Sequence, residues 1–508
     1  MPIFPTMECI EASVLMRLLP KFSLSLTKLL LYAVFRVTIR NAGPKKRKLS
    51  MKHQNLALIT AVLALSACGA PQYSTSKLNS EVNALSKVPS DILSQPKLVE
   101  TLSGDFNTDL PKIVTNSPEY IASMNGYNSS LSQILVANAD RELQISASAN
   151  AGQTVKDGAG LSSTTERGAS ANVSISQLIF DGGSSVAKID QARANAFIAE
   201  MDVELAANTT AKDAAVSWIN LDTLYKRDTR FQALMTKTEK MLTQMETLVA
   251  SGMIDKSASA SAEIAARALS LEKANLDAQI SAASASYMKF FGTVPKNLST
   301  PPSLLTAADI AHIQSNWNRA PIMAQAAAKV LAARQSLIAA QGREKPTVGF
   351  KAGLASPMEK DERTTYAIGL EVSWVIGDGG RRKADTAAQG ANLKAAEQKL
   401  AGAKLAGKRE LDSVLSRRGA LIASLETLAA QEAGSQNELQ IMLSQLATGQ
   451  TTVRQLIQAE ERAYRTSDQR ISVASDLLKI DFEILASSGL LSKRLGINKN
   501  KTTAKAVK

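Results

Sequence analysis

Two stretches of this chain, each longer than sixty residues, contain no proline, and both follow an Asp-Gly-Gly. The first runs from Asp181 to Ala250, with no glycine after Gly183. The second runs from Gly380 to Ala447 and is relieved only by Gly390, Gly402, Gly407, Gly419 and Gly434. Proline removes a backbone donor and clashes with the turn before it, so a run this long without one permits a single continuous helix. At 1.5 Å per residue, about 68 residues reach about 100 Å. Glycines at 252 and 449 then end the two runs, and a second helix returns after each.

The two stretches are copies. Asp181 and Asp378 stand 197 residues apart, and this interval also relates Ser176 to Ser373, Ile179 to Ile376, Gly182-Gly183 to Gly379-Gly380 and Ala194-Asn195 to Ala391-Asn392. It persists through Leu242 and Leu439, Met245 and Met442, Gly252 and Gly449, Ala262-Glu263 and Ala459-Glu460, and Gly292 and Gly489. One register held without a gap over so long a span indicates a duplicated structural unit.

Upstream of each Asp-Gly-Gly the period is two. Leu143, Ile145, Ala147 and Ala149 alternate with polar residues, as do Ala171, Val173 and Ile175. In the second unit Val348, Phe350, Ala352 and Leu354 alternate, then Tyr366, Ile368, Leu370, Val372 and Trp374. Each pair of runs reads as a β-hairpin with one apolar and one polar face. Alternation fits a half-buried sheet and an outer-membrane barrel equally. Downstream, the returning helices keep sevens: Ala262, Ala266, Leu269, Leu276, Ile280, Ala283 and Tyr287 in the first unit, and Leu456, Ala459, Ala463, Val473, Leu477, Ile480 and Ile484 in the second. That spacing predicts left-handed coiled-coil packing. Asp181-Gly182-Gly183 and Asp378-Gly379-Gly380 are therefore strand-to-helix junctions, with glycine supplying backbone freedom and the aspartate placed to cap the helix. Neither copy completes a phosphate-binding glycine motif.

Charge and composition remove several functions. Of the formal +13, +8 lies in residues 1–67 and +6 in residues 493–508, which leaves −1 for the 425 residues between; no basic face is available to grip nucleic acid. Aromatics make up 4% of the chain, which favours helices packed closely on small residues over a large aromatic core. Cys9 and Cys68 are too far forward to staple the body, and His53 and His312 stand apart, so no metal site is expected. No nucleophile–base set or carboxylate pair stands out, and neither an enzyme nor a cofactor is expected.

The stretch from Met51 has one lysine, an apolar run from Leu56 to Leu65, and small residues before Cys68. This is signal-peptide architecture, too short for a membrane span. Leu65-Ser66-Ala67-Cys68 resembles a bacterial lipobox, which implies lipidation of Cys68, and Gly69 after it implies the outer membrane. Residues 1–50 are then a doubtful extension, with translation expected to start at Met51; the basic KKRK at 45–48 conflicts with a lipobox as an import signal.

With these features in place, the chain resembles the TolC-like outer-membrane export channels from about Pro118 to Gly489. The stretches that carry the resemblance are QLIFDGGSSVAKIDQARA, VSWVIGDGGRRKADTAAQGA and the closing run from Leu446 to Leu491. It implies a mainly α fold with membrane β: an internally duplicated homotrimer in which each chain gives four strands to a twelve-stranded outer-membrane barrel, continued by a long periplasmic α-helical coiled-coil barrel. It also implies an exit duct in a tripartite efflux or type I secretion system of a Gram-negative bacterium. The partners would be a periplasmic adaptor (membrane fusion) protein and an inner-membrane RND or ABC transporter, with outer-membrane lipid around the barrel and no nucleic acid. Ser251-Gly252-Met253 and Thr448-Gly449-Gln450 match the family's adaptor-contacting tips. The aspartates that ring the inner end in the best-known members correspond here to Gln455 and Gln458, so Asp255 and Arg454 join them as gate candidates. A periplasmic coiled-coil adaptor or scaffold lipoprotein is the rival reading; it would not need two hairpins.

The expected organisation is a signal peptide at 51–67, a lipid-anchored segment at 68–117, and a first repeat at 118–292 with its hairpin at 142–180 and helix pair at 181–292. A linker at 293–318 leads to a second repeat at 319–489, with hairpin 346–376 and helix pair 378–489, and a basic disordered tail follows at 490–508.

Overall fold

The structure is a computed structural model that describes residues 102–158, 161–252, 256–294, 298–357, 363–447 and 450–497, all within the unit Asp91–Lys508. Helix α1 (Phe106–Asn116) starts where the Asp105 carboxylate accepts from the Thr108 N–H, and α2 (Pro118–Ala139) starts with Ser117 as its cap and Pro118 in its first turn. Strands β1 (Gln144–Gly158) and β2 (Leu161–Phe180) form the first hairpin. Helices α3 (Ser184–Ala250) and α4 (Lys256–Phe291) complete the first repeat.

A short helix, α5 (Ala307–Asn316), and a single 3₁₀ turn at Trp317–Arg319 lead to α6 (Pro321–Gly342). Strands β3 (Thr347–Pro357) and β4 (Thr365–Ser373), then α7 (Arg381–Ala447) and α8 (Val453–Ser487), repeat the plan, and α9 (Leu491–Arg494) closes it. Helices α3 and α7 are both 67 residues long and begin 197 residues apart. The strands pair antiparallel in the order β1-β2-β3-β4, so β1 and β4 are edges. Side by side run α2, α3, α6 and α7, while α4 and α8 pack against α3, and α7 packs on α8.

Three segments between and beside the repeats carry structure of their own, and the last of them in the chain corrects the expected disordered tail at 490–508. The linker 293–318 contains α5, held by a reciprocal capping box between Thr306 and Asp309. The tail does not begin at 490: Leu491 and Ile497 are buried, and the Ser492 N–H donates to the Asn208 side chain at 3.0 Å. Within the segment 68–117, Phe106, Leu110, Ile113 and Val114 of α1 are core residues. In each case an apolar residue every third or fourth position finds a helix surface to cover, which charge and loop composition concealed.

Five of the aromatic rings, those of Phe106, Trp218, Tyr287, Phe291 and Phe482, meet in one buried cluster, and Phe231 and Tyr464 form a separate pair. Phe106 meets Trp218 edge-on with centroids 5.5 Å apart, Trp218 meets Phe291 at 5.2 Å, and Tyr287 stacks on Phe291 at 4.3 Å. The Trp218 indole donates to the Ser299 carbonyl at 2.8 Å, so the ring cluster also fixes the linker. Such pairs add to the burial of large apolar area. The seam of sevens is buried at Leu269, Leu276 and Tyr287 on α4 and at Leu456, Ala459, Ile480 and Ile484 on α8. On α8, burial also reaches Tyr464, Ser467 and Phe482, a second face that the seven-residue pattern does not mark.

Candidate functional site

Alternation in sequence becomes two unlike faces in the sheet. Pairing places Ile145, Ile175, Ala352 and Ile368 in one row and Ala147, Val173, Leu354 and Tyr366 in the next. On the opposite face the Ser146 and Ser174 hydroxyls share a hydrogen bond at 2.7 Å, and Lys351 pairs with Glu371. The apolar face is bare in the single chain: Tyr366 and Ile368 are each 79% exposed. With β1 and β4 unpaired as well, the sheet lacks both a cover and a closure. Lipid supplies the first, and only ring closure supplies the second, because hydrocarbon offers no partner for edge N–H and C=O groups. Among the described residues no helix is long and apolar enough to cross a membrane.

Both junctions have the expected chemistry with one shift. The N-cap position of α3 is Gly183, at φ 91°, not Asp181. Asp181 acts from two residues earlier, its carboxylate accepting from the N–H groups of Gly183 at 3.2 Å and Ser185 at 2.6 Å. Asp378 does the same for Gly380 and Arg382, both at 3.1 Å, and also takes the Arg382 Nε at 2.8 Å. The Arg382 bond holds the Asp378 carboxyl below the usual range. Glycines 182, 183, 379 and 380 all have φ between 66° and 91°, a region that other residues rarely occupy.

At the far end, Ser251 and Gly252 close α3, with the Gly252 N–H donating to the Val249 carbonyl at 3.0 Å. Met253, Asp255, Thr448 and Gly449 lie outside the described residues, as does Cys68. The Gln450 N–H reaches the Gln445 carbonyl at 2.9 Å. Arg454 and Gln458 are exposed. Gln455 is exposed too, but engaged: its side-chain oxygen accepts from the N–H and hydroxyl of Thr452, each at 2.9 Å, and Thr452 caps the helix in return. This capping box is written in the sequence as Thr-x-x-Gln. Below the tips Met245, Val453 and Ile457 form a small apolar cluster.

Sequence reasoning missed the ion pairs that tie the long helices. Arg227 on α3 meets Asp468 on α8 through two bonds of 2.6 and 2.9 Å, and Lys237 meets Glu460 at 3.0 Å. Arg418 on α7 reaches the buried Asp481 on α8 at 2.7 Å. Each joins residues far apart in the chain, so no local spacing announces it. No group of three metal-ligating side chains occurs among the described residues.

A sheet needing lipid on one face and ring closure at its edges, carried on helices of about 100 Å, defines an outer-membrane channel subunit. The family described as outer membrane efflux protein matches residues 112–293 and 313–489, most of the chain. This protein belongs to that family. Among solved structures, the outer membrane protein VceC from Vibrio cholerae is 17% identical with a TM-score of 0.67, covering 75% of this chain and 96% of that one. A membrane protein from Pseudomonas aeruginosa is 15% identical with a TM-score of 0.66, covering 75% and 90%. The MtrE outer membrane channel of Neisseria gonorrhoeae, in its open state, is 14% identical with a TM-score of 0.63, covering 78% and 95%. No curated protein matches the sequence.

Proposed function

We propose that three copies of this outer-membrane efflux channel subunit close edge to edge into a twelve-stranded barrel. The supporting observation is the four-stranded sheet with two free edges and one bare apolar face. Two copies would give eight strands, whose interior side chains fill; three leave a lumen. The polar face, with Lys351 and Glu371, lines that lumen, and Tyr366 and Trp374 face lipid or its interface. Below it the long helices form the exit duct of a tripartite efflux or type I secretion system, met at the tips by a periplasmic adaptor and an inner-membrane RND or ABC transporter. Cys68 is lipidated and anchors the chain at the inner leaflet of the outer membrane. The domain plan is a signal peptide, a tether from Cys68, two repeats and a short basic end.

The first test is heat-modifiable gel mobility of the membrane-extracted protein with bilayer conductance; a chain that runs only as a monomer and conducts nothing defeats the reading. The anchor is tested by palmitate labelling of Cys68→Ala against wild type, where equal label sinks it. The gate is tested with trivalent cations: glutamine rings carry no net charge, so wild-type conductance should be weakly blocked. Gln458→Asp should create block, and more readily than Gln455→Asp, because Gln455 is occupied by its cap. Strong block of the wild type would point to Asp255 instead.

A further inference from the structure

The duplication supplies a template for how one copy meets the next at the base of the barrel. Inside the chain, the first junction packs against the loop after α6. A Cβ on Gly182 would collide with the Gly342 carbonyl and lie 2.8 Å from the Lys345 Cβ, and one on Gly342 would lie 2.7 Å from the Ser184 nitrogen. Ser184 and Ser185 are buried there, and the Lys345 ammonium donates toward the Gly182 carbonyl at 3.5 Å. The second junction has no such cover. A Cβ on Gly379 or Gly380 would meet nothing. Where the first junction has Ser184-Ser185-Val186, the second has Arg381-Arg382-Lys383. Arg382 is used within the chain, on Asp378 and the Arg343 carbonyl. Arg381 and Lys383 are exposed, and among the described residues their side chains have no polar partner.

The loop after α2 is the counterpart of the loop after α6, since both helices are 22 residues long, open with proline and lead into a strand. Its charges are inverted position by position: Asp140-Arg141-Glu142 stands where Arg343-Glu344-Lys345 stands in the second repeat. Asp140 and Glu142 are exposed and, among the described residues, unpaired. Helix α2 lies at one end of the row α2, α3, α6, α7, and α7 at the other, so ring closure brings the second junction to the neighbour's α2 loop.

We propose that, within the closed ring argued above, Arg381 and Lys383 of each copy dock on Asp140 and Glu142 of the next. Three positive residues at one junction then face a net negative loop, whereas the neutral first junction faces its loop by close glycine packing. The counterpart of Gly342 is Ala139, whose methyl group forbids the approach seen inside the chain. The seam between copies is therefore wider than the seam within a copy and bridged by charged side chains. Such pairs orient partners and respond to salt.

The experiment is a charge swap in the full-length membrane protein. Arg381→Glu with Lys383→Glu should lower the trimer fraction on mild gels about tenfold or more, on the order expected when like charges face each other across an interface. Adding Asp140→Lys and Glu142→Lys to the same chain should restore it. In a separate variant, Glu142→Cys with Lys383→Cys should be joined into multimers by a short bismaleimide crosslinker, which spans the gap that the two long side chains bridge and which a direct disulfide would not; this keeps the test open if the reversed chain fails to mature. A wild-type chain that forms no trimer removes the ring itself. A wild-type trimer left intact by the reversal, or one in which the cysteine pair never links, overturns the contact alone. So does a reversal that spares the trimer but weakens binding to vesicles containing anionic phospholipid, because the basic residues would then face lipid headgroups.

Discussion

At the level where α4 and α8 approach the ends of α1 and α5, the two repeats fill corresponding positions differently. The first has Trp218, Tyr287 and Phe291; the second has Leu415, Ile484 and Ser488. The first is packed solid, with all three rings buried. Beside the second lies a groove of about 620 Å³, walled by Trp317, Met323, Leu411 and Val414. The same contrast recurs at the barrel base, where the first junction is covered and the second is bare. Duplicated backbones thus need not carry duplicated energetics: the first repeat holds the buried rings and a covered junction, and the second leaves a groove and its junction open.

The comparison is broken most severely by truncating its ring cluster. Trp218→Ala should cost about 3–5 kcal/mol, against under about 2 kcal/mol for Leu415→Ala, which is only half-buried. Thermal unfolding of the two purified variants, followed by helical circular dichroism, would show it; equal losses would mean that both repeats are packed alike in the assembly.

Next come the glycines. Alanine at either Gly182 or Gly379 meets the left-handed backbone penalty of about 1–2 kcal/mol. Only Gly182→Ala adds a collision, with Gly342 and Lys345. Surface abundance and export should fall sharply for Gly182→Ala and modestly for Gly379→Ala. Matching defects would show that the neighbour's Ala139 comes closer than the proposed charged seam allows.

A smaller effect tests the linker. Asp309 accepts from the Thr306 hydroxyl at 2.7 Å and from Arg494 at 2.5 Å, and its carboxyl is held down to about 2, chiefly by Thr306. Its folded value lies below the ordinary 3.8. The contribution is therefore complete above the unfolded value and is lost as pH falls through about 2. Asp309→Asn should lower the melting temperature at neutral pH, and its gap from wild type should close in acid. A gap that widens in acid would reverse the sign of this argument. The smallest effect is at the second tip, where Gln455→Ala removes half of a capping box; a loss of about 1 kcal/mol or less is expected in tip protection by hydrogen exchange.

The hairpins, the long helices and the junctions were legible because each depends on local rules. A period of two commits residues to opposite sheet faces, absence of proline lets a helix run on, and Asp-Gly-Gly combines a helix-capping carboxylate with two left-handed residues. The duplication even told which residues would occupy equivalent places. Sequence alone could not say which equivalents are covered. Gly182 and Gly379 look alike as letters, yet one lies against Gly342 and the other faces open space. Gln455 reads from the sequence as a gate candidate and in the structure also caps its own helix, while the linker and the chain end looked like loops and pack through Asp309, Arg494 and Leu491. The sequence determined which groups need a partner; the packing of α3 against α6, α8 and α9 decided which of them find one within a single chain, because contacts between residues hundreds of positions apart depend on helix placement that no local pattern encodes.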